Sequence, residues 1–247
     1  MRTCKKRQDL TIVSELGFKS LLEIIKGGNH KENPMKNLHL VEHPLIRHKL
    51  ARLRDLECPM PEFRRLLDDI GTLMAFEVTR DLETEPVEIQ TPVAPTVCQR
   101  LKRAPVLVTI LRAGIGMLNP FMHLLPESPV GFLGLQRDEE TLEPESYYSK
   151  IPSVARTSPV ILIDPMLATG GSAMDAIEHL KKNGVHDITF VCLVAAPEGV
   201  QALNQRYPEL HIYTAALDDR LNDHGYIVPG LGDAGDRVFG TGVDDIR

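Results

Sequence analysis

A short apolar run, PVILID (159–164), delivers one carboxylate, Asp164, into a loop that leads straight into a helical pattern. The loop contains ATGGS, in which Gly170 and Gly171 let the main chain turn tightly and aim several N–H groups at one spot. The helix opening near Ser172 adds free N–H groups and the positive end of its dipole. Thr169 and Ser172 add hydroxyl donors, completing a phosphate cradle that needs no lysine. The glycine spacing and the missing lysine exclude a Walker-type loop. A bare TGGS also fits an ordinary strand-to-helix turn, but the strand and Asp164 in front of it favour the cradle. Arg112 ends the run PVLVTIL (105–111), and Arg137 follows GFLGLQ (131–136). A guanidinium at a strand's carboxyl end can hold a diphosphate through paired hydrogen bonds, although a surface role is the simpler reading for either arginine alone.

A second segment, NDHGYIVPGLGDAGDRVFGT (222–241), carries five glycines and a proline, with no repeat that makes a regular element. Such composition reads as loop or tail. Yet Tyr226, Ile227, Val228, Leu231 and Phe239 are too apolar for a solvated tail. A glycine-dense segment folded closely over a ligand fits better. His224 lies beside it and is a minor candidate for contact. The other histidines form no metal spacing and read as surface or packing residues.

The positioning elements follow from hydrophobic rhythm. PVLVTIL, GFLGLQ, PVILID, ITFVCLVAA (188–196) and LHIYTAAL (210–217) are short, continuous apolar runs. Helical patterns separate most of them; Ala173, Ala176, Ile177 and Leu180 recur at i, i+3, i+4 and i+7 before Gly184. The alternation indicates an α/β fold with a mostly parallel twisted sheet and helices on both faces. Ligands in such folds sit outside the carboxyl ends of the strands, which is where Arg112, Arg137 and Asp164 fall. Upstream, Pro44 opens one helix and a second begins near Pro61, with Phe63, Leu66, Leu67, Ile70, Leu73, Met74 and Val78 on its apolar face. TEPVEIQTPVAPTV reads as edge strand and loop. The acidic stretch after Arg137, with Tyr147 and Tyr148, reads as a mobile flap. Residues 1–36 read as an extension holding a possible short helix (14–26) and a linker, and residues 37–247 as the main domain.

The bulk properties narrow the function. The chain of 247 residues has an ordinary apolar content of 43% and a net charge of −6. An acidic chain is a poor general binder of nucleic acid. No apolar run approaches the roughly 18 residues of a membrane span, and the N-terminus lacks the continuous apolar stretch of a signal peptide. Cys4, Cys58, Cys98 and Cys192 are scattered without metal spacing, so they read as free thiols in a cytoplasmic protein.

The strand–Asp–loop–TGGS–helix unit resembles the phosphoribosyl-diphosphate loop of the type I phosphoribosyltransferases. That loop typically carries two acidic residues. Here the second is Pro165, and DPMLATGGS resembles the uracil phosphoribosyltransferase form. HGYIVPGLGDAGDRVFGT is similar to that family's uracil-binding segment almost residue for residue. The likeness runs from NLHLVEHPLIRHKL to residue 241 and leaves out residues 1–36.

The resemblance implies a type I phosphoribosyltransferase fold with a C-terminal hood at about residues 218–241, and transfer of phosphoribosyl from phosphoribosyl diphosphate to uracil. It implies a phosphoribosyl-diphosphate set of Arg112, Arg137, Asp164, Pro165, Met166, Leu167, Ala168, Thr169, Gly170, Gly171, Ser172 and Asp233. Asp164, Asp233 and Arg137 form its catalytic group, and Ile227, Gly232, Asp233 and Ala234 meet uracil. Whether Asp233 also assists removal of the uracil N1 proton stays open. Mg²⁺ is expected to ride on the diphosphate, with no dedicated metal residues. GTP activation and a homo-oligomer, dimer or higher, are further implications of the family. A nucleotide-sensing regulator on the same fold, or an enzyme for another base, are the alternatives.

Overall fold

The computed structural model describes Met35, residues 37–137 and residues 144–241, the side chains of residues 136, 137 and 144–146 excepted. The chain divides into residues 1–36 and a unit Asn37–Arg247; the fold below is that of the second. The helix expected at 14–26 lies outside the described residues.

Five apolar runs form five parallel strands. These are β4 (Val106–Leu111), β5 (Val130–Arg137), β7 (Val160–Ile163), β9 (Ile188–Ala195) and β10 (His211–Leu217). With β1 (Leu38–Leu40) and β6 (Pro144–Lys150), the sheet order is β1-β10-β9-β7-β4-β5-β6. Only β6 runs antiparallel, against β5. A short β8 (Met166–Leu167) adds beside β9. β7 is buried at every position, and β4 and β9 nearly so. Both faces of these strands are therefore covered, as a parallel sheet requires. From β4 the chain builds outward through β5, then returns to place β7 on β4's other side. That reversal makes the crevice between the carboxyl ends of β4 and β7 the topological switch point.

The helices follow the expected spacing. α1 (Pro44–Arg54) starts with the His43 side chain accepting from the Leu45 N–H, and it buries Ile46, Leu50 and Leu53. α2 (Met60–Val78) buries Phe63, Leu66, Leu67, Ile70, Gly71, Met74 and Ala75. It packs on α3 (Ile115–Leu124) so closely that a Cβ at Gly71 would stand 2.5 Å from the Pro120 ring. α4 (Gly171–Lys182) and α5 (Pro197–Arg206) follow β8 and β9.

Three expectations need correction. The proline-interrupted stretch is a two-stranded hairpin, β2 (Thr84–Gln90) with β3 (Pro95–Leu101), separate from the main sheet. Both its strands are edges, so Pro86 and Pro95 need not interrupt a central ladder. Tyr147 and Tyr148 belong to strand β6, antiparallel to β5, rather than to an irregular loop; residues 138–143 lie outside the described residues. The C-terminal stretch contains regular elements: β11 (Arg220–Leu221) pairs with β12 (Ile227–Val228), and α6 (Ala234–Phe239) follows. They are too short for periodicity to reveal. Among the described residues, no helix is long and apolar enough to cross a membrane.

Candidate functional site

Asp164 follows the last residue of β7, with its N–H donating to the Val191 carbonyl at 3.1 Å. Burial strips solvent from the carboxyl and pushes its pKa up to about 7, although the Met166 N–H opposes the shift. The next residues are spent on framework. The Pro165 carbonyl accepts from the N–H groups of Leu193 and Val194 at 2.9 and 3.2 Å, and the Leu167 carbonyl from Ala196 at 2.8 Å. Met166 and Leu167 pair with Val194 and Ala195. Pro165, Leu167 and Gly170 are buried, Met166, Ala168 and Gly171 are half-buried, and Thr169 and Ser172 are exposed.

Gly170 stands at φ +85° before α4, a left-handed conformation that suits glycine. The Thr169 hydroxyl accepts from the Gly171 N–H at 3.4 Å, and Thr169 and Ser172 are exposed. The first N–H groups of α4 have no partner within the helix and open toward the loop. Gly199 of α5 supports the loop from below; a Cβ there would stand 2.3 Å from the Ala168 carbonyl oxygen.

The loop after β4 closes over the same crevice. A Cβ at Gly114 would lie 2.3 Å from the Thr109 hydroxyl, 2.5 Å from the Ile110 carbonyl and 2.7 Å from that of Ile163. The loop carrying Arg112 is thereby held beside the residue preceding Asp164. The Arg112 side chain is 63% exposed, 3.7 Å from the Asp236 carboxylate of α6. Gly114→Ala therefore meets two rigid carbonyls and should lower stability by about 3 kcal/mol in thermal unfolding. The backbone of Arg137 ends β5; its side chain lies outside the described residues.

The C-terminal segment is rooted at the same end of the sheet. The Leu221 N–H donates to the Glu198 carboxylate at 3.0 Å, one residue from Gly199. Asp218 N–H donates to the Ala195 carbonyl at 2.8 Å. The Asn222 side chain accepts from His224 N–H and Tyr226 N–H, which places His224 in the tip of the β11–β12 turn. Ile227 and Ala234 are buried, Gly232 is exposed at φ +78°, and Asp233 is half-buried. The Asp233 carboxylate caps α6 by accepting from the Asp236 N–H at 2.9 Å. Gly235 lies beside Ala113, next to Arg112; a Cβ there would be in ordinary contact with the Ala113 Cβ at 3.6 Å. Arg237 stacks over the Phe63 ring and donates to the Leu231 and Asp55 carbonyls, and Arg64 donates to that of Val238.

One end of the sheet thus gathers Asp164, Arg112, the 168–172 loop and the segment 227–234. Residues that sequence reasoning missed are the supports: Arg54, Gly199, Glu198, Asp218, Asp236 and Arg237. Arg54, Glu198, Gly199 and Asp218 lie outside the quoted motifs and give no signal, because their partners are distant in sequence; Asp236 and Arg237 lie inside the C-terminal segment, where nothing marks them out as supports. A cavity of about 730 Å³ lies elsewhere, lined by Lys102, Arg156, His186 and Tyr213 among others and by none of the expected site residues.

The uracil phosphoribosyltransferase family model matches residues 40–241. The uracil phosphoribosyltransferase of Lysinibacillus sphaericus is 53% identical over 208 residues, covering 84% of this chain and all of the relative. That of Lactococcus lactis subsp. cremoris is 55% identical over 210 residues with the same coverage. Among solved structures, the AQ2163 protein from Aquifex aeolicus superposes with a TM-score of 0.78 at 36% identity, over 83% of this chain and 99% of that one. The adenine phosphoribosyl transferase of Trypanosoma brucei, with a TM-score of 0.52 at 14% identity over 80% of this chain and 88% of that one, shares the fold alone. A strand-ending carboxylate, a lysine-free cradle and a glycine-rich segment meet at one switch point, and 202 residues of the chain fit one family, 40 through 241: this chain belongs to the uracil phosphoribosyltransferase family of glycosyltransferases.

Proposed function

We propose the following division of labour for the family's reaction, in which uracil takes the phosphoribosyl group of 5-phospho-α-D-ribose 1-diphosphate to give UMP and diphosphate, a step of pyrimidine salvage. The main-chain N–H groups and hydroxyls of residues 168–172 hold the 5′-phosphate. Asp164 accepts from the ribose hydroxyls and faces the positive charge that develops as the bond from C1 to the leaving oxygen lengthens. Arg112 and Arg137 take up the charge of the departing diphosphate. No covalent nucleophile is needed, because holding two substrates in line supplies much of the acceleration. Main-chain groups of Ile227, Gly232 and Ala234 read the uracil edge. Cytosine would leave polar groups unpaired there, a mismatch that can reject a substrate by about 10⁴-fold.

One observation carries this reading: adjacent residues of α5, Glu198 and Gly199, support the glycine-rich hairpin and the cradle from the same helix end. The test is an assay of the purified full chain with phosphoribosyl diphosphate and each free base in turn. UMP formation with uracil alone supports the assignment; a purine product overturns it.

Asp233 both caps α6 and, in this reading, touches the phosphoribosyl substrate. Asp233→Asn keeps a capping oxygen while removing the charge. It should leave the melting temperature in place and lower kcat/KM by about tenfold or more. Asp233→Ala should show the same kinetic loss and also lose about 1 kcal/mol of stability. Equal kinetics for Asp233→Asn and the parent chain would reduce Asp233 to a cap.

Mg²⁺ enters this scheme with the substrate diphosphate, and no residue of the chain is assigned to it. A homo-oligomer is supported by the β2–β3 hairpin, where Ile89, Val93, Val97 and Leu101 are exposed. Two strands alone are marginal in water and gain stability by covering such a face. Activation by GTP rests on the family resemblance and is read by adding GTP to the same assay. The free thiols Cys58, Cys98 and Cys192 suit a reducing, cytoplasmic setting.

A further inference from the structure

We infer that Arg54 and Asp218 are positioning residues for the base, acting through the main chain of Gly230; this rests on the reading that the hood's backbone recognises uracil. Arg54 is the last residue of α1, and Asp218 follows β10 directly. Their side chains are 20% and 5% exposed. The guanidinium is bidentate, with Nη2 donating to Asp218 Oδ1 at 2.6 Å and Nη1 to Oδ2 at 2.7 Å. The same two side chains then take both polar groups of one peptide residue. Gly230 N–H donates to Asp218 Oδ2 at 3.0 Å, and the Gly230 carbonyl accepts from Arg54 Nη1 at 2.7 Å.

An ion pair that only tied α1 to the sheet would have no need of Gly230. Gly230 is where the hood turns back on itself. It stands at φ +61°, and a Cβ there would lie 2.2 Å from the Ile227 carbonyl oxygen. Gly232 comes two residues later. The clamp therefore sets the separation between Ile227 and Gly232, two of the positions assigned to the uracil edge. The cradle for the phosphoribosyl group is held independently, by β8 pairing with β9 and by Gly199. Loosening the clamp should weaken uracil binding and leave the phosphoribosyl substrate alone.

A buried pair is also a stability element, so the test must separate the two roles. Removing one partner strands a buried charge, whereas an apolar pair of similar volume is often neutral or stabilising. The variants are Asp218→Asn, the double variant Arg54→Met with Asp218→Leu, and Gly232→Ala, whose Cβ has room, meeting only Arg237 at 3.8 Å, but which puts alanine in the left-handed region at φ +78° and so displaces the hood backbone itself. Each is assayed for KM of uracil, KM of phosphoribosyl diphosphate, the uracil-to-cytosine rate ratio and melting temperature.

The double variant should keep a melting temperature near that of the parent chain while its KM for uracil rises about 10- to 100-fold, as an ångström-scale misplacement can produce. Its KM for phosphoribosyl diphosphate should hold, and its preference for uracil over cytosine should shrink. Asp218→Asn, which keeps the shape and one oxygen acceptor, should show a smaller rise of the same kind and serves as the readout if the double variant does not fold. If Gly232→Ala leaves the uracil KM unchanged, the hood reading is wrong and this inference falls with it. If Gly232→Ala raises it but the double variant, or Asp218→Asn in its place, keeps the parent value, the hood stands and the clamp is structural only.

Discussion

Asp164→Asn should make the protein more stable and nearly inactive. The aspartate carboxyl has an ordinary pKa of 3.8 and about 7 in the folded chain, because burial disfavours its charged form. Between these values the folded chain holds a proton that the unfolded chain has released. Its contribution to stability is therefore fully present below about pH 4 and is lost as pH rises through about 7. At pH 8 a shift of this size has an upper bound of about 4 kcal/mol, which residual solvent access roughly halves. Asparagine has no charge to desolvate. The variant should melt about 4 to 8 °C higher at pH 8, with the difference closing toward pH 4. Its kcat should fall about 10²- to 10³-fold, the usual loss when a preorganised electrostatic partner of the transition state is removed. The parent chain's kcat/KM for phosphoribosyl diphosphate should rise with pH through about 7, and that limb should vanish in the variant. Scanning calorimetry at pH 5 and 8 with steady-state kinetics checks all three. A variant less stable than the parent at pH 8 would show that Asp164 serves the fold rather than the reaction.

Gly199→Ala should cost about 10²-fold in kcat/KM for phosphoribosyl diphosphate. Gly199 lies inside α5, where alanine is the better helix former by about 1 kcal/mol. Any loss therefore reports the contact and not the helix. The new Cβ would stand 2.3 Å from the Ala168 carbonyl oxygen and 3.0 Å from the Leu167 side chain. The carbonyl belongs to main chain pinned between β8 and α4, so the cradle must move by about an ångström. A displacement of that size at a binding site can cost 10²-fold in rate. The loss should fall on the phosphoribosyl substrate, in contrast to the clamp variants, whose effect falls on the base. Kinetics with each substrate varied in turn separates the two. An unchanged KM for phosphoribosyl diphosphate would mean the 168–172 loop does not hold it.

The two effects have one physical origin. In the proposed reading, the site sets two groups against what the fold alone would choose: the Asp164 carboxyl in a desolvated crevice and the Ala168 carbonyl pressed against a helix with no room for a methyl group. The proposed division of labour uses both, and the buried carboxyl lowers stability at neutral pH.

The five central strands, the helices between them and the strand–loop–helix unit around residues 164–172 were legible from the chain alone, because these depend on local periodicity and on groups adjacent along the chain. PVILID–loop–ATGGS is readable since every donor of the cradle comes from one contiguous stretch. Tertiary structure alone decided what holds that stretch and the hood in place. Gly199 lies about 30 residues past the loop it supports, Arg54 is 164 residues from Asp218, and Arg237 is 182 from Asp55. Such contacts leave no period and no motif. The short elements of the hood were hidden for a related reason: β12 of two residues and α6 of six show less than two full turns of any repeat.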